Sequence, residues 1–336
     1  MTHHIKTTVV GSYPIPLWLG AMPSTPALRD AVLVVMKTQE MAGIDVISDG
    51  ELSRFDPNHP ETNGMIEHFV RPLSGVSAEL SRAELAEFRA QPNMGFRTVP
   101  AGVVRDAVDE GAMNLQAAYD FVKPLAAKPM KFTVTSPYML AKTLLNKYYP
   151  DRRTLTLAIA DVLRRQVMNI DAAVLQVDEA NLPGSPQDCD WAAHAINLVF
   201  SGAPRGTARA VHLCFGNYGG QTIQKGFFQD MLPFFNALEA DHLVLEFARR
   251  GYEELQVFTE LKPSIALGVG VIDIKDNEVE TPDEIARRIA HAVDVLGAER
   301  VKWIHPDCGF WMLQRSVADR KIHALVQGRD LFEGKR

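Results

Sequence analysis

Short apolar, β-branched runs alternate along the chain with longer stretches of helical period, and the alternation recurs eight times. The runs read as strands lie at 5–12 (IKTTVVGS), 44–49 (IDVISD), 131–136 (KFTVTS), 172–178 (AAVLQVD), 208–214 (ARAVHLC), 241–246 (DHLVLE), 264–272 (SIALGVGVI) and 300–305 (RVKWIH). They are nearly continuous in apolar residues, as parallel strands buried on both faces are. Helical patterns fill most gaps, among them 26–42, 151–170, 281–296 and 315–327. The third of these begins Thr281-Pro282-Asp283-Glu284: a capping hydroxyl, a proline suited to the first turn, and acids at the positive end of the helix dipole. Eight strand-then-helix units predict an α/β fold, a closed (β/α)8 TIM barrel, as one catalytic domain over 1–336. A doubly wound open sheet is the alternative, but no GxGxxG turn follows the first strand. Residues 52–128 break the rhythm, being too long for one loop and one helix. They hold a charged, helix-like piece at 77–90 and the run FRTVPAGVV, readable as a strand pair. The segment is read as an insertion after the second strand that covers the barrel mouth.

Composition adds little beyond exclusions. The formal net charge of -6 and the lack of a basic run of five or more argue against nucleic acid or an anionic membrane as partner. No stretch of 18 apolar residues occurs, and MTHHIKTTVVGS lacks the order of a signal peptide, so a cytoplasmic location is expected. Three cysteines, Cys189, Cys214 and Cys308, suit a reducing compartment with free or metal-bound thiols rather than a disulfide framework.

The chemistry gathers where the predicted strands end. The first ends in Gly11-Ser12, the second in Asp49-Gly50-Glu51, the fourth in Asp178-Glu179, and the fifth in His212-Leu213-Cys214. The sixth ends in Glu246, the seventh runs into Asp273 and Lys275, and the eighth ends in His305-Pro306-Asp307-Cys308-Gly309. A β/α barrel brings these C-terminal strand ends to one mouth. His212 and Cys214, two apart on a strand, point to the same face. With Glu246 and Cys308 they make a tetrahedral shell of the kind that suits zinc. Each ligand has a plainer reading. Cys214 alone is more often a buried apolar residue, His212 a satisfied core histidine, and Cys308 a turn residue. Glu246 resists that treatment, because an unpaired buried carboxylate is costly. Glu51 and Asp178 form an acidic patch suited to a cationic group such as an α-ammonium; the alternative is a salt bridge to a base of the insertion such as Arg54. Gly11 and Ser12 offer N–H and hydroxyl donors to a carboxylate, or simply end a strand. Cys189 is left out as structural. The FGNYGG stretch after Cys214 is a loop but not a phosphate loop, since no GK[ST] follows.

The segments TTVVGSYP, DVISDGE, LQVDEAN, VHLCFGN, LVLEFARRG, LGVGVIDIKDNEVETPDEI and HPDCGF, in this order, resemble the motif series of the catalytic domain of cobalamin-independent methionine synthase, from about residue 6 to about residue 325. The resemblance implies a zinc enzyme that methylates the thiol of homocysteine. His212, Cys214, Glu246 and Cys308 would then be zinc ligands, Gly11 and Ser12 would hold the amino-acid carboxylate, and Glu51 and Asp178 its ammonium. The family's long form carries a second, N-terminal barrel, and this chain resembles the short, core form. Lys275 stands near the position of the family's proton-donating histidine, and no tryptophan-bearing folate stretch is evident in TSPYMLAKTLL. The methyl donor is therefore open between methyltetrahydrofolate and a methylated corrinoid.

In the mechanism these residues suggest, zinc holds the acceptor as a thiolate, Glu246 gives way to it or stays beside it, and Lys275 supplies a proton to the leaving group. The expected partners are small molecules, with a methyl-donor or accessory protein as a further candidate. The main rival is a zinc alkyltransferase acting on another small thiol such as coenzyme M; Glu51 and Asp178 would repel its sulfonate. A zinc-free decarboxylase of the uroporphyrinogen type is more remote, having no use for the HxC and PDCG motifs.

Overall fold

In a computed structural model, residues 4–56, 64–92, 97–217, 222 and 224–335 are described. The ten strands among them are β1 (Lys6–Thr7), β2 (Ser74–Ser77), β3 (Val103–Asp109), β4 (Lys131–Thr135), β5 (Leu145–Asn146), β6 (Val174–Glu179), β7 (Ala208–Leu213), β8 (His242–Leu245), β9 (Ala266–Ile272) and β10 (Val301–Pro306). Seven of them form one parallel sheet in the order β1-β10-β9-β8-β7-β6-β4. Two isolated parallel bridges, Thr8 to Val46 and Ile47 to Met130, join its ends through the second predicted strand and close the barrel.

The two faces of the sheet separate cleanly. Leu175, Val177, Val211, Leu213, Leu243, Leu245, Leu267 and Val269 share one buried cluster with helix residues such as Leu155, Ile159 and Leu163. Their neighbours in sequence, Val174, Ala210 and Val244, form a second cluster with Val10, Val46 and Trp303 inside the barrel. This is the period-two alternation of a strand with helices outside and side chains within.

The helices follow the sequence signals closely. They run Thr25–Ala42, Arg152–Val167, Pro282–Leu296 and Arg315–Phe332. Thr281 and Glu284 form a reciprocal capping box, and Gly43 ends the first helix at φ 93°, a left-handed conformation that suits glycine.

The second predicted strand is a correction. At 44–49 only Val46 and Ile47 make bridges. The reason lies in side chains that take the place of a ladder. Gln39 receives Ser48 N on its Oε1 and donates from Nε2 to Ser48 O, both at 2.9 Å. Asp45 Oδ2 accepts Thr7 N at 2.8 Å, and Ser48 Oγ donates to Gly11 O at 2.7 Å. The backbone is satisfied without extended pairing, and it turns early enough to bring Glu51 into the mouth.

Within 52–128 the charged piece forms a helix at Arg82–Arg89, with Ser81 and Glu84 as its capping box. The FRTVPAGVV run does not pair with itself, and its first residue, Phe96, lies outside the described residues, as do 218–220 of the FGNYGG loop. Its last two residues instead open β3, which pairs antiparallel with β2 and parallel with β5. Near its start the segment touches the barrel: Thr135 Oγ1 donates to Met65 O at 2.5 Å.

Candidate functional site

β7 delivers His212, and Cys214 follows it directly; the loop after β10 delivers Cys308. One donor atom from each of the three lies within 4.8 Å of the other two. His212 and Cys214 are buried and Cys308 is partly exposed, so the group opens toward the mouth. His212 Nδ1 is 2.8 Å from Val244 O. That carbonyl can only accept, so Nδ1 carries a proton and Nε2 is the nitrogen left to face the thiols. Nε2 is buried and has no hydrogen-bond partner. An imidazole oriented by a backbone carbonyl, beside two thiols, is the donor set and outer support that zinc takes.

Without a cation the group is electrostatically tense. Burial alone would lower the His212 pKa, but its interaction with Cys308 overrides this and lifts it to about 9. The Cys308 thiol is held well below its ordinary value, first by the Cys214 hydrogen bond and then, against burial, by His212; Cys214 is correspondingly pushed well up.

Glu246, the first residue after β8, is not a member of the three-residue group. Its Oε1 accepts Phe215 N at 3.1 Å, while Oε2 is buried with no hydrogen-bond partner and lies 3.8 Å from Lys275 Nζ. Burial raises the Glu246 pKa, against the pull of Lys275. Lys275 Nζ also donates to Thr222 Oγ1 at 2.6 Å and Gly216 O at 3.1 Å, which ties it to the loop after β7.

Asp307, not singled out from the sequence, fixes this corner. Its carboxylate accepts Phe247 N and Ala248 N at 2.9 Å and Arg249 N at 2.7 Å. It thereby clamps the backbone after Glu246 to the loop carrying Cys308. A Cβ on Gly270 would overlap Asp307 Oδ1, which accounts for glycine there. The available signal was its place beside Cys308 in PDCG.

The acid corner is built differently. Glu51 has φ 57°, and among the described residues no other non-glycine residue has a positive φ. Such backbone is costly for a residue with a Cβ and collects at functional sites. Glu51 Oε1 accepts from Thr133 Oγ1 at 2.5 Å and pairs with Arg54 Nη1 at 3.3 Å. Arg54 Nη2 donates to Thr133 O and Oγ1, both at 2.6 Å. The salt bridge weighed as an alternative for Glu51 is thus present, and Arg54 belongs to the site. Burial pushes the Glu51 carboxyl up, against Arg54 and Thr133. Asp178 accepts from Gln176 Nε2 at 2.7 Å, and burial raises it to about 7 although His212 pulls it down. Gly11 stands against Glu51: a Cβ there would overlap Glu51 Oε1. Ser12 meets the thiol loop, since a Cβ on Gly309 would overlap Ser12 Oγ, and Phe310 N donates to Ser12 O at 2.8 Å. Cys189 is buried away from these groups, and its thiol is pushed up to about 12, first by burial and then by nearby acids.

A β/α barrel that sets two thiols and an imidazole beside two buried acids at the C-terminal ends of its strands has the architecture of an enzyme active site. Residues 5–329 match the family model described as cobalamin-independent synthase, catalytic domain. The chain belongs to the cobalamin-independent methionine synthase family and is an S-methyltransferase of that type. It is 27% identical to a methionine synthase of Saccharolobus solfataricus, covering 96% of this chain and 93% of that one. Among solved structures, a B12-independent methionine synthase from Shewanella sp. W3-18-1 in complex with selenomethionine superposes with a TM-score of 0.80 at 20% identity, covering 98% and 97%. A B12-independent methionine synthase described as putative, from Listeria monocytogenes, superposes with a TM-score of 0.71 at 17% identity, covering 98% of each chain. These two structures establish the likeness of fold. Among the described residues no helix is long and apolar enough to cross a membrane.

Proposed function

We propose that this chain methylates the thiol of homocysteine at a zinc ion held by His212, Cys214 and Cys308, with Glu246 as a fourth, displaceable ligand. The observation that carries the reading is the group of His212, Cys214 and Cys308, whose donor atoms lie within 4.8 Å of one another, with Glu246 Oε2 nearby and free of hydrogen bonds. Zinc bound there would stabilise a coordinated thiol as thiolate at neutral pH and, among anionic ligands, leave that sulfur nucleophilic. The chain's own residues do the rest. Gly11 and Ser12 receive the carboxylate, and Glu51 and Asp178 receive the ammonium. The insertion 52–128, anchored by Arg54 on Thr133, closes the mouth over the bound amino acid. Lys275, on the donor side of Glu246, protonates the group that leaves the methyl carbon, because an amine nitrogen departs poorly as an anion. The donor is methyltetrahydrofolate or a methylated corrinoid. A sulfonate thiol such as coenzyme M fits worse, since Glu51 and Asp178 would repel it.

The test is zinc content of wild-type and Cys308→Ser protein, paired with homocysteine titration. About one zinc per chain, lost in the variant, with homocysteine binding that depends on it, is the expected result. Carefully prepared wild-type protein that neither holds nor takes up zinc would refute the reading.

A further inference from the structure

Beneath the acid corner the barrel holds a buried cation that none of the steps above uses. Lys131 opens β4 and is 2% exposed. Its Nζ donates to Gln176 Oε1 at 2.7 Å. Gln176 lies two residues before Asp178 on β6, so both side chains point into the barrel. Its Nε2 donates to Asp178 Oδ1 at 2.7 Å and to Val10 O at 2.8 Å. The chain of bonds has a single sense. The amide oxygen only accepts and the amide NH2 only donates, so Lys131 Nζ is the donor and Asp178 Oδ1 and Val10 O are the acceptors. Lys131 at one end and Asp178 with Val10 O at the other therefore both turn the Gln176 oxygen down and its NH2 toward Asp178. With Lys131 gone the Gln176 oxygen is left buried without its donor, and the amide that holds Asp178 loses its anchor at that end.

The surroundings suit this arrangement. Asp178 and Glu51 both favour the charged form of Lys131, while burial, the larger effect, brings it down to about 7. The nearby imidazoles of His242 and His305 are held uncharged, first by burial and also by Lys131. His242 is stacked on Trp303 at 4.7 Å between ring centroids, a flat floor to the polar layer.

We propose that Lys131, acting through Gln176, orients Asp178 to receive the α-ammonium of the acceptor, and so is a positioning residue for amino-acid recognition. The proposal rests on the reading of Asp178 as an ammonium-binding acid.

The test compares homocysteine with 4-mercaptobutanoate, the same thiol acid without the amino group, in calorimetric titrations of zinc-loaded protein. The proteins are wild type, Lys131→Met, Gln176→Leu and the double variant, with zinc content measured for each. Each single variant should lose roughly ten- to hundredfold in homocysteine affinity, the worth of a hydrogen bond to a charged group. Binding of 4-mercaptobutanoate and zinc content should stay at the wild-type level, and the double variant should be no worse than Gln176→Leu. Equal losses on both ligands would mark a merely structural lysine and overturn the proposal, as would additive losses in the double variant. Where Lys131→Met does not fold, Gln176→Leu decides on the same criterion. A wild-type protein that does not prefer homocysteine to its analogue would overturn the ammonium cage, and the relay with it.

Discussion

The thiol corner and the acid corner occupy the same barrel mouth but treat their polar atoms in opposite ways. At the thiol corner Glu246 Oε2 is buried with no hydrogen bond and faces only the Lys275 ammonium at 3.8 Å, and His212 Nε2 faces only the thiols, although the positions around them are held firmly by Val244 O, Phe215 N and the Asp307 clamp. At the acid corner Glu51 and Asp178 already have partners in Thr133, Arg54 and Gln176. Unpaired buried polar atoms are expensive, and a cluster of them on a well-supported frame points to a ligand that completes it. A satisfied acid pair has the other property: an incoming cation must share or exchange existing partners, so recognition there is a matter of geometry more than of raw affinity.

Cys214→Ala breaks the contrast most severely. It removes one donor and leaves the acid corner untouched. Zinc affinity in a chelator competition should fall by more than the roughly 10–100-fold that loss of an outer partner costs, with turnover falling to background. Retained zinc at wild-type affinity would move the metal site elsewhere.

Lys275→Met acts at the seam between thiol corner and donor. If Lys275 protonates the leaving group, turnover with an amine-type donor should drop by about 10²–10⁴, the usual contribution of a general acid, while homocysteine binding measured by titration changes little. Wild-type rates would remove Lys275 from the chemistry.

Asp178→Asn should show the smallest effect, and in stability. The Asp178 pKa of about 7 is raised from an ordinary 3.8. Between those values the folded protein holds a proton that the unfolded chain has lost, so stability falls as pH rises toward 7 and stays reduced above it. Asparagine removes that cost. In the metal-free protein the variant should melt a few degrees above wild type at pH 8 and show no gain at pH 4, while binding homocysteine less well. Melting curves at the two pH values check this; a variant destabilised at both would mean that Asp178 is held by more than Gln176.

Much of this was legible from sequence for identifiable reasons. Period-two and period-3.6 patterns marked eight strands, seven of which pair in the sheet, and the four long helices, since burial on one or both faces writes itself into residue choice. The segment 44–49 was read as a full strand because the side-chain hydrogen bonds of Gln39, Asp45 and Ser48 that replace its ladder leave no periodic trace. His212, Cys214 and Cys308 stood out because strand-end cysteines and histidines are scarce and chemically specific. Arg54 was named only as a counter-charge, Asp307 was placed at the eighth strand's end without a role, and Lys131 carried no signal, because a lysine opening an apolar run looks like a solvated strand end.

The sequence by itself determined the class of fold, the inventory of donors and the family, since these depend on residue type and order along the chain. Tertiary structure alone decided which donors meet. Closing the barrel through two single bridges sets strand ends from distant parts of the chain side by side. That closure separated Glu246 from the tight group of three, paired Glu51 with Arg54, and placed Lys131 beneath Asp178, because distances across a barrel follow from register and closure and not from spacing in sequence.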